Sequence, residues 1–450
     1  MLLFYPVARG NIEDISLKSS TQMLKKPIWE NLFKFPENTP LHSFEFYADS
    51  AFQRNFTFEP KASRLRSFEM GGAQLILQSP TGPQTFHSTL LEPSSFSEFF
   101  QNHKVSKFPT VFTRSPEPNG KSWARTREIE QACRRLLLDL GNITQFSASY
   151  EETTKNFLFA NTDTAVQAGE ESLAHFNVEF MAHKGEQTRR FKIQRGRTDI
   201  ESLFSDLEQT LMTREHLEKA LQQPWPAPKG KLSVLWSASC VAKLLLHFIQ
   251  HLELLSRKTD SYEHLKSNFP HLSFQVIDNW KQQNRFDVEG RPRYETLLID
   301  GGKPSILFNE QVPGFSRRNS SREFPITAPW EPALFGKERD SNILSQLGNG
   351  LSIHEFEFLG FQVSTGLITL KITEAALVHQ GSEGEFIESV IWEMPLLQLL
   401  SSFKLFSDSS TPHPLSWSQS GQNLFVEVTA SAALSPELEF PGTVPLAHYW

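Results

Sequence analysis

Several things that would assign this chain to a specialised class are missing from it. Only 2 of its 450 residues are cysteine. Cys133 and Cys240 both fall in apolar, helix-periodic stretches, so they read as reduced core thiols and exclude a disulfide framework or a cysteine-built zinc cluster. No stretch reaches the ~20 consecutive apolar residues of a membrane span. The opening residues, MLLFYPVARG, have neither the basic leader nor the apolar core of a signal peptide. Neither sign of charge dominates, with 44 basic against 51 acidic residues, which gives no electrostatic basis for nucleic-acid binding. The expectation is a soluble cytoplasmic protein with no nucleic-acid partner and no membrane partner. On that footing the Asn-x-Ser/Thr triplets at Asn55, Asn142 and Asn319 are chance matches.

What the chain does have is phenylalanine, 38 of them, within a hydrophobic content of 39%. That is enough for sizeable cores, and the length suggests two or three units at roughly 150 residues each. The clearest boundary is PWPAPKG, Pro224 to Gly230, because three prolines fit neither a helix nor a central strand. The predicted fold class is therefore α+β in two domains. Residues 1–224 form an N-terminal domain with a mixed sheet and helices, and 225–450 a C-terminal β-rich, barrel-like antiparallel domain with a helix over 238–255.

In the first part, alternation predicts strands through Phe44 and Phe46, Phe56 and Phe58, Arg64 to Glu69, Ala73 to Gln78 and Thr85 to Leu91, with a turn at Gly71-Gly72. Further strands are expected at Ile143 to Thr153, Asn156 to Asn161 and Ser172 to Ala182. Helices are expected near Thr21 to Phe33, Ser94 to Gln101, Thr126 to Leu140 and Asp199 to Ala220. Arg189 to Arg197 reads as a solvated loop. Beyond the boundary, strands are expected at Leu232 to Trp236, Leu272 to Ile277, Tyr294 to Ile299, Ile306 to Asn309, Leu351 to Leu359, Gly366 to Ile372, Ala375 to His379, Glu385 to Trp392 and Leu424 to Ala430. Residues 312–342 read as loop, and Pro395 to Phe403 as a short helix.

The stretch KLSVLWSASCVAKLLLHFIQHLELL, Lys231 to Leu255, organises the second part. A short apolar strand is followed by Ser237 and Ser239 as possible N-caps, and then by a helix whose apolar residues recur at three and four. His247 and His251 lie four apart on one face of that helix. A peptidase helix of the H-E-x-x-H kind pairs two such imidazoles on zinc with a glutamate beside the first as general base. Here Phe248 occupies the place of the base, Gln250 is an amide, and Glu253 lies beyond the second histidine. The reading is two histidines edging an amphipathic helix as partial cations near its C-terminal half. The alternative is a metal pair, His247 and His251, awaiting a third ligand. Other candidates have structural readings: His354-Glu355 a sheet face, with a zinc role as the alternative, Gly348-Asn349-Gly350 a turn, and Asp287 and Glu289 a structural or solvated pair, with an acid/base pair as the alternative. Arg317, Arg318 and Arg322 read as an exposed basic loop tip, with capture of a peptide carboxylate or an acidic partner as the alternative.

The order of several short motifs resembles the modulator-of-DNA-gyrase family, the paired TldD and TldE (PmbA) proteins. Asp287-Val288-Glu289-Gly290 with Pro292, then Leu297 to Gly302, is similar to that family's D-x-E-G-x-P…L-I-x-x-G signature. Gly350 to Ile353 followed by Ser364-Thr365-Gly366, the hairpin Gly381 to Ile391, and the helix from Leu396 to Phe406 match in order. So do Gly71 to Leu90 and Phe157 to Thr162, and the match spans roughly Ser43 to Phe406. The resemblance implies a zinc peptidase fold in which the D-type subunit carries H-E-x-x-x-H and a downstream cysteine. This chain has Phe248 for the glutamate, its second histidine one residue early at His251 with Leu252 in the expected place, and no cysteine after Cys240. It therefore looks like the E-type subunit: no metal, no cofactor, no catalytic residue of its own, working in a homo- or heterodimer with a TldD-like catalytic subunit on peptide substrate. The alternative implied by the same resemblance is a divergent, self-sufficient metallopeptidase using His247 and His251.

Overall fold

The computed structural model describes residues 43–60, 62–79, 82–88, 127–131, 134, 143–161, 167–184, 187–197, 221–256, 269–278, 286–301, 303–304, 315–318, 325–362, 365–419 and 421–442. The expected helices near 21–33, 94–101 and 199–220, most of the one over 126–140, the strand at 306–309, Cys133 and Arg322 lie outside these residues.

The first six strands are β1 (Ser43–Glu59), β2 (Ala62–Ser79), β3 (Gly82–Ser88), β4 (Ile143–Asn161), β5 (Gln167–Lys184) and β6 (Gln187–Arg197). They form one sheet in the order β3-β2-β1-β4-β5-β6. Every neighbouring pair is antiparallel, so the expected mixed sheet is instead a purely antiparallel one. Alternation explains its two apolar sides. Phe56 and Phe58 on β1, with Phe146, Ala148 and Tyr150 on β4 and Phe176, Val178 and Phe180 on β5, build one core. Tyr47 and Phe157 face the opposite way into a second cluster. Two expectations are corrected. Gly71-Gly72 is no turn: β2 runs straight through it, each glycine paired with a β1 residue, Ser50 and Asp49. The basic run Arg189 to Arg197 is not a loop but edge strand β6, which suits an edge, where charged residues keep the strand from pairing further.

The second part contributes β7 (Lys229–Trp236), β8 (Phe274–Asp278), β9 (Thr296–Asp300), β10 (Lys303–Pro304), β11 (Ser316–Arg317), β12 (Ile326–Thr327), β13 (Ala333–Gly336), β14 (Arg339–Asp340), β15 (Gly350–Gln362), β16 (Leu367–His379), β17 (Ser382–Phe386), β18 (Val390–Pro395), β19 (Leu405–Gln419) and β20 (Gln422–Pro441). Helices α1 (Ala238–Ser256), α2 (Ile343–Leu347) and α3 (Leu396–Ser402) lie among them. The large sheet has 12 strands with the main order β10-β9-β8-β13-β20-β7-β15-β16-β17. The order does not return on itself, so the barrel-like expectation gives way to an open sheet. Nor is it all antiparallel: β7 and β15, β13 and β20, and β14 and β19 pair in parallel. Residues 312–342, expected as loop, include the four short strands β11 to β14. The prolines at 325, 329 and 332 border these strands instead of preventing them.

α1 forms as its spacing predicts. Ser237 is the N-cap: its Oγ accepts from the Cys240 N–H at 3.3 Å and donates to the His354 carbonyl at 2.9 Å. Val241, Leu244, Leu245, Phe248, Ile249 and Leu252 are all fully buried in the core with Trp236, Leu351, Phe356 and Trp392. By length and composition α1 could cross a membrane; its burial among these strands accounts for the apolarity without one.

Candidate functional site

A stripe of α1 one turn apart at each step, Lys243, His247 and His251, meets successive residues of β15. Lys243 pairs with Glu355 and lies 5.5 Å from the Phe356 ring centre. The His247 ring stacks on Phe358, centroids 3.8 Å apart and planes 14° from parallel. His251 meets Phe361 edge-on, at 4.8 Å and 86°. Burial pushes the pKa of both imidazoles down to about 4, because a charged ring there would be cut off from water. They are neutral side chains packed on aromatic rings, which corrects the expectation of partial cations.

The positions that a zinc helix would use differently are filled by core. Phe248 and Leu252 have no exposure. Glu253 is turned toward β19, where Gln419 donates to it at 3.2 Å. Among the described residues no three His, Cys, Asp or Glu side chains converge as a metal-binding group. Cys240, in the first turn of α1, is buried, its thiol pushed up to about 12 by burial, so it is an inert core residue. Among the described residues none is placed to complete a zinc site with His247 and His251.

The second concentration of functional groups lies where the two sheets meet. The Asp287-Val288-Glu289-Gly290 segment is a tight turn held by Asp287, whose Oδ1 accepts the N–H of Glu289 at 3.0 Å and of Arg291 at 2.9 Å. Gly290 sits at φ +71, a conformation that glycine adopts without cost. The turn drives Val288 into a cluster with Tyr47, Phe157 and Trp330. Asp287 is a buried structural carboxylate, as its sequence reading holds.

Around that apolar plug, charged side chains from both sheets interleave. Register places Tyr47, Asp49, Gln74, Lys155, Phe157 and Glu171 on one side of the first sheet. Lys155 donates to the Arg318 carbonyl at 2.6 Å, and Arg318 to the Gln74 side-chain oxygen at 2.7 Å. The Arg318 guanidinium lies 4.1 Å over the Tyr47 ring. Arg317 donates to the Pro329 carbonyl at 2.8 Å and lies 3.9 Å from Glu171. Arg293 and Arg317 both stack on Trp330, at 4.0 and 4.3 Å. Asp278 accepts the backbone N–H groups of Trp330 and Glu331 at 3.0 and 2.8 Å. Burial lowers the pKa of Lys155 and of all three arginines and raises that of Asp278.

Arg317 and Arg318 are thus not an exposed loop tip: they keep 7% and 4% exposure. The aromatic rings and carbonyls that bury them come from distant parts of the chain, and local sequence cannot announce those. Arg293, Trp330, Lys155 and Asp278 were missed altogether for the same reason. The histidine pair, by contrast, is brought together as its spacing predicts, and His354 and Glu355 lie on β15 as expected.

No protein-family model and no curated protein matches the sequence. Solved structures match its fold. TldE from Thermococcus kodakarensis superposes with a TM-score of 0.72 at 12% identity, covering 92% of this chain and 98% of that one. A modulator of DNA gyrase from Thermotoga maritima gives 0.67 at 14% identity over 88% and 95%. Another, from Bacteroides thetaiotaomicron, gives 0.67 at 13% over 95% and 100%. At this identity the likeness is one of fold, and it runs through nearly the whole of each chain.

Proposed function

We propose that this chain is a TldE-like, non-catalytic subunit that completes a cytoplasmic TldD/TldE-type zinc peptidase acting on small unfolded peptides. In this reading it is a two-domain protein divided near residue 224. One observation carries the reading. On a fold shared with TldE and the gyrase modulators, the helix that would bear H-E-x-x-x-H has Phe248 and Leu252 sealed in the core and its two histidines packed on Phe358 and Phe361. A metal helix needs those positions open to a solvent-filled cleft.

The test has two arms. Elemental analysis of the purified chain, with His247→Ala and His251→Ala beside it, should find no stoichiometric zinc in any of the three. About one zinc per chain, lost in both variants, would replace this reading with a divergent metallopeptidase using His247 and His251. The second arm mixes the chain with a TldD-like protein that carries the intact helix. Co-elution and cleavage of an unfolded peptide by the mixture alone is the expected result; a partner that neither binds nor gains activity sinks the subunit reading.

A further inference from the structure

Several hydrogen-bond donors in the seam between the sheets are closed to solvent with no acceptor in place. The Arg293 Nε and Nη2 atoms, the Arg317 Nε, the Gln74 Nε2 and the Tyr47 hydroxyl are all closed to solvent and without a partner. Buried donors are almost always satisfied, so each such group calls for an explanation. Arg293 is the extreme case. It keeps only 7% exposure, its guanidinium stacks on Trp330, and its Nε and Nη2 have no hydrogen-bond partner.

The two orphaned nitrogens of Arg293 are the pair whose N–H bonds point the same way, along one edge of the guanidinium. That edge matches the two oxygens of a carboxylate, which accepts two parallel N–H···O bonds. The Trp330 ring holds the guanidinium plane, so the edge is set before any ligand arrives. The carboxylates whose charges act on Arg293 are Asp278, Glu331 and Glu171. None of them hydrogen-bonds to its Nε–Nη2 edge, and Asp278 accepts the Trp330 and Glu331 amides instead.

We propose that Arg293 anchors a carboxylate-binding site at the seam between the two sheets, its Nε–Nη2 edge taking both oxygens of one ligand carboxylate. Unsatisfied donors call for a ligand group that only accepts, as an ionised carboxylate does. The charges of Asp278 and Glu331, which act on Arg293, favour a monoanion over a phosphate. Arg293 keeps 7% exposure while the edge itself is closed to solvent, so a carboxylate reaches it only as neighbouring side chains shift, which restricts the ligand to a small carboxylate or the C-terminus of a peptide. The site stands on this geometry alone and holds whether or not the chain is a peptidase subunit.

The test uses the full chain and follows its melting temperature and tryptophan fluorescence at constant ionic strength, balanced with chloride. The probes are sodium acetate, N-acetyl-trialanine with a free carboxylate, and the same peptide as its amide. A saturable response to the carboxylates and none to the amide is expected. Saturation by the acid peptide at concentrations about tenfold or more below acetate would assign a chain terminus as the ligand; equal concentrations would assign a small free carboxylate. Arg293→Lys keeps the charge and loses the two-pronged edge, so the midpoint should rise about tenfold or more. Arg293→Met should abolish the response. No saturable response in the unaltered protein, an equal response to the amide, or an undiminished response in Arg293→Lys would overturn the proposal.

Discussion

Position 248 shows how far a single residue is from restoring a chemistry. Phe248 is fully buried in the core of the large sheet and tilts against Phe269, ring centres 5.9 Å apart. Introducing the glutamate of a zinc helix there, Phe248→Glu, places a carboxylate among apolar side chains with no partner. The expected outcome is a loss of about 3 kcal/mol or more in urea unfolding and no gain of peptidase activity. The histidines beside it give a pH prediction. Their pKa is about 4 in the fold against 6.5 for the free ring, so the unfolded chain takes up protons first as pH falls. Their contribution is complete above pH 6.5 and is lost progressively toward pH 4. The pair should account for a few kcal/mol of acid lability, and the double variant His247→Leu/His251→Leu should flatten the slope of stability between those limits. The i, i+4 spacing made this pair legible. Its neutrality was not, because Phe358 and Phe361 lie far along the chain and only the fold brings their rings against it.

Among the elements, those with a clean period or a cap were legible and those with mixed signals were not. The β7–α1 unit follows its sequence, apolar strand, capping serine and periodic helix, almost residue for residue. Ser237→Ala removes the cap and should cost about 1 kcal/mol. Strand β19 was not foreseen, because Pro412 and Pro414 and a serine-rich run argue against a strand. It pairs with β20 all the same, Pro412 opposite Thr429 and Pro414 opposite Glu427. The Gly348-Asn349-Gly350 segment was read as a turn, and the structure adds what its last glycine is for. A Cβ on Gly350 would stand 2.2 Å from the Ser233 carbonyl oxygen, where β15 runs beside β7. Backbone cannot yield as a side chain can, so Gly350→Ala should cost about 1–3 kcal/mol in thermal or denaturant unfolding.

At the scale of the whole molecule, the polar seam ties the first sheet to the second alongside apolar packing, in which Ala376 and Phe386 join the Phe56–Phe180 core. Arg318 reaches across it to Gln74 and Tyr47, and its carbonyl receives Lys155. Arg318→Ala removes that bridge and leaves a cavity between charged neighbours. A loss of about 3 kcal/mol is expected, with the unfolding midpoints of the two sheets drawing apart as their coupling weakens. Such a variant would be followed by circular dichroism and tryptophan fluorescence together, since divergent midpoints reveal the separation. None of this seam was visible in the sequence. A charged residue in a Pro- and Arg-rich stretch reads as surface by composition, and only long-range pairing makes it interior.

Strand β20 is the last described element in chain order, yet it lies in the middle of the large sheet. It is flanked by β7 and β13 in the main order and pairs with β19 as well. During synthesis, β7 and β13 emerge before the strand that joins them, so the β7 edge that receives β20 stays open until the ribosome has made nearly all of the described chain. Pairings this distant in sequence close slowly, and an apolar edge left open invites the wrong neighbour. For this protein the vulnerable interval is therefore the wait for β20, and a product stalled before it should be prone to aggregate, not merely less active.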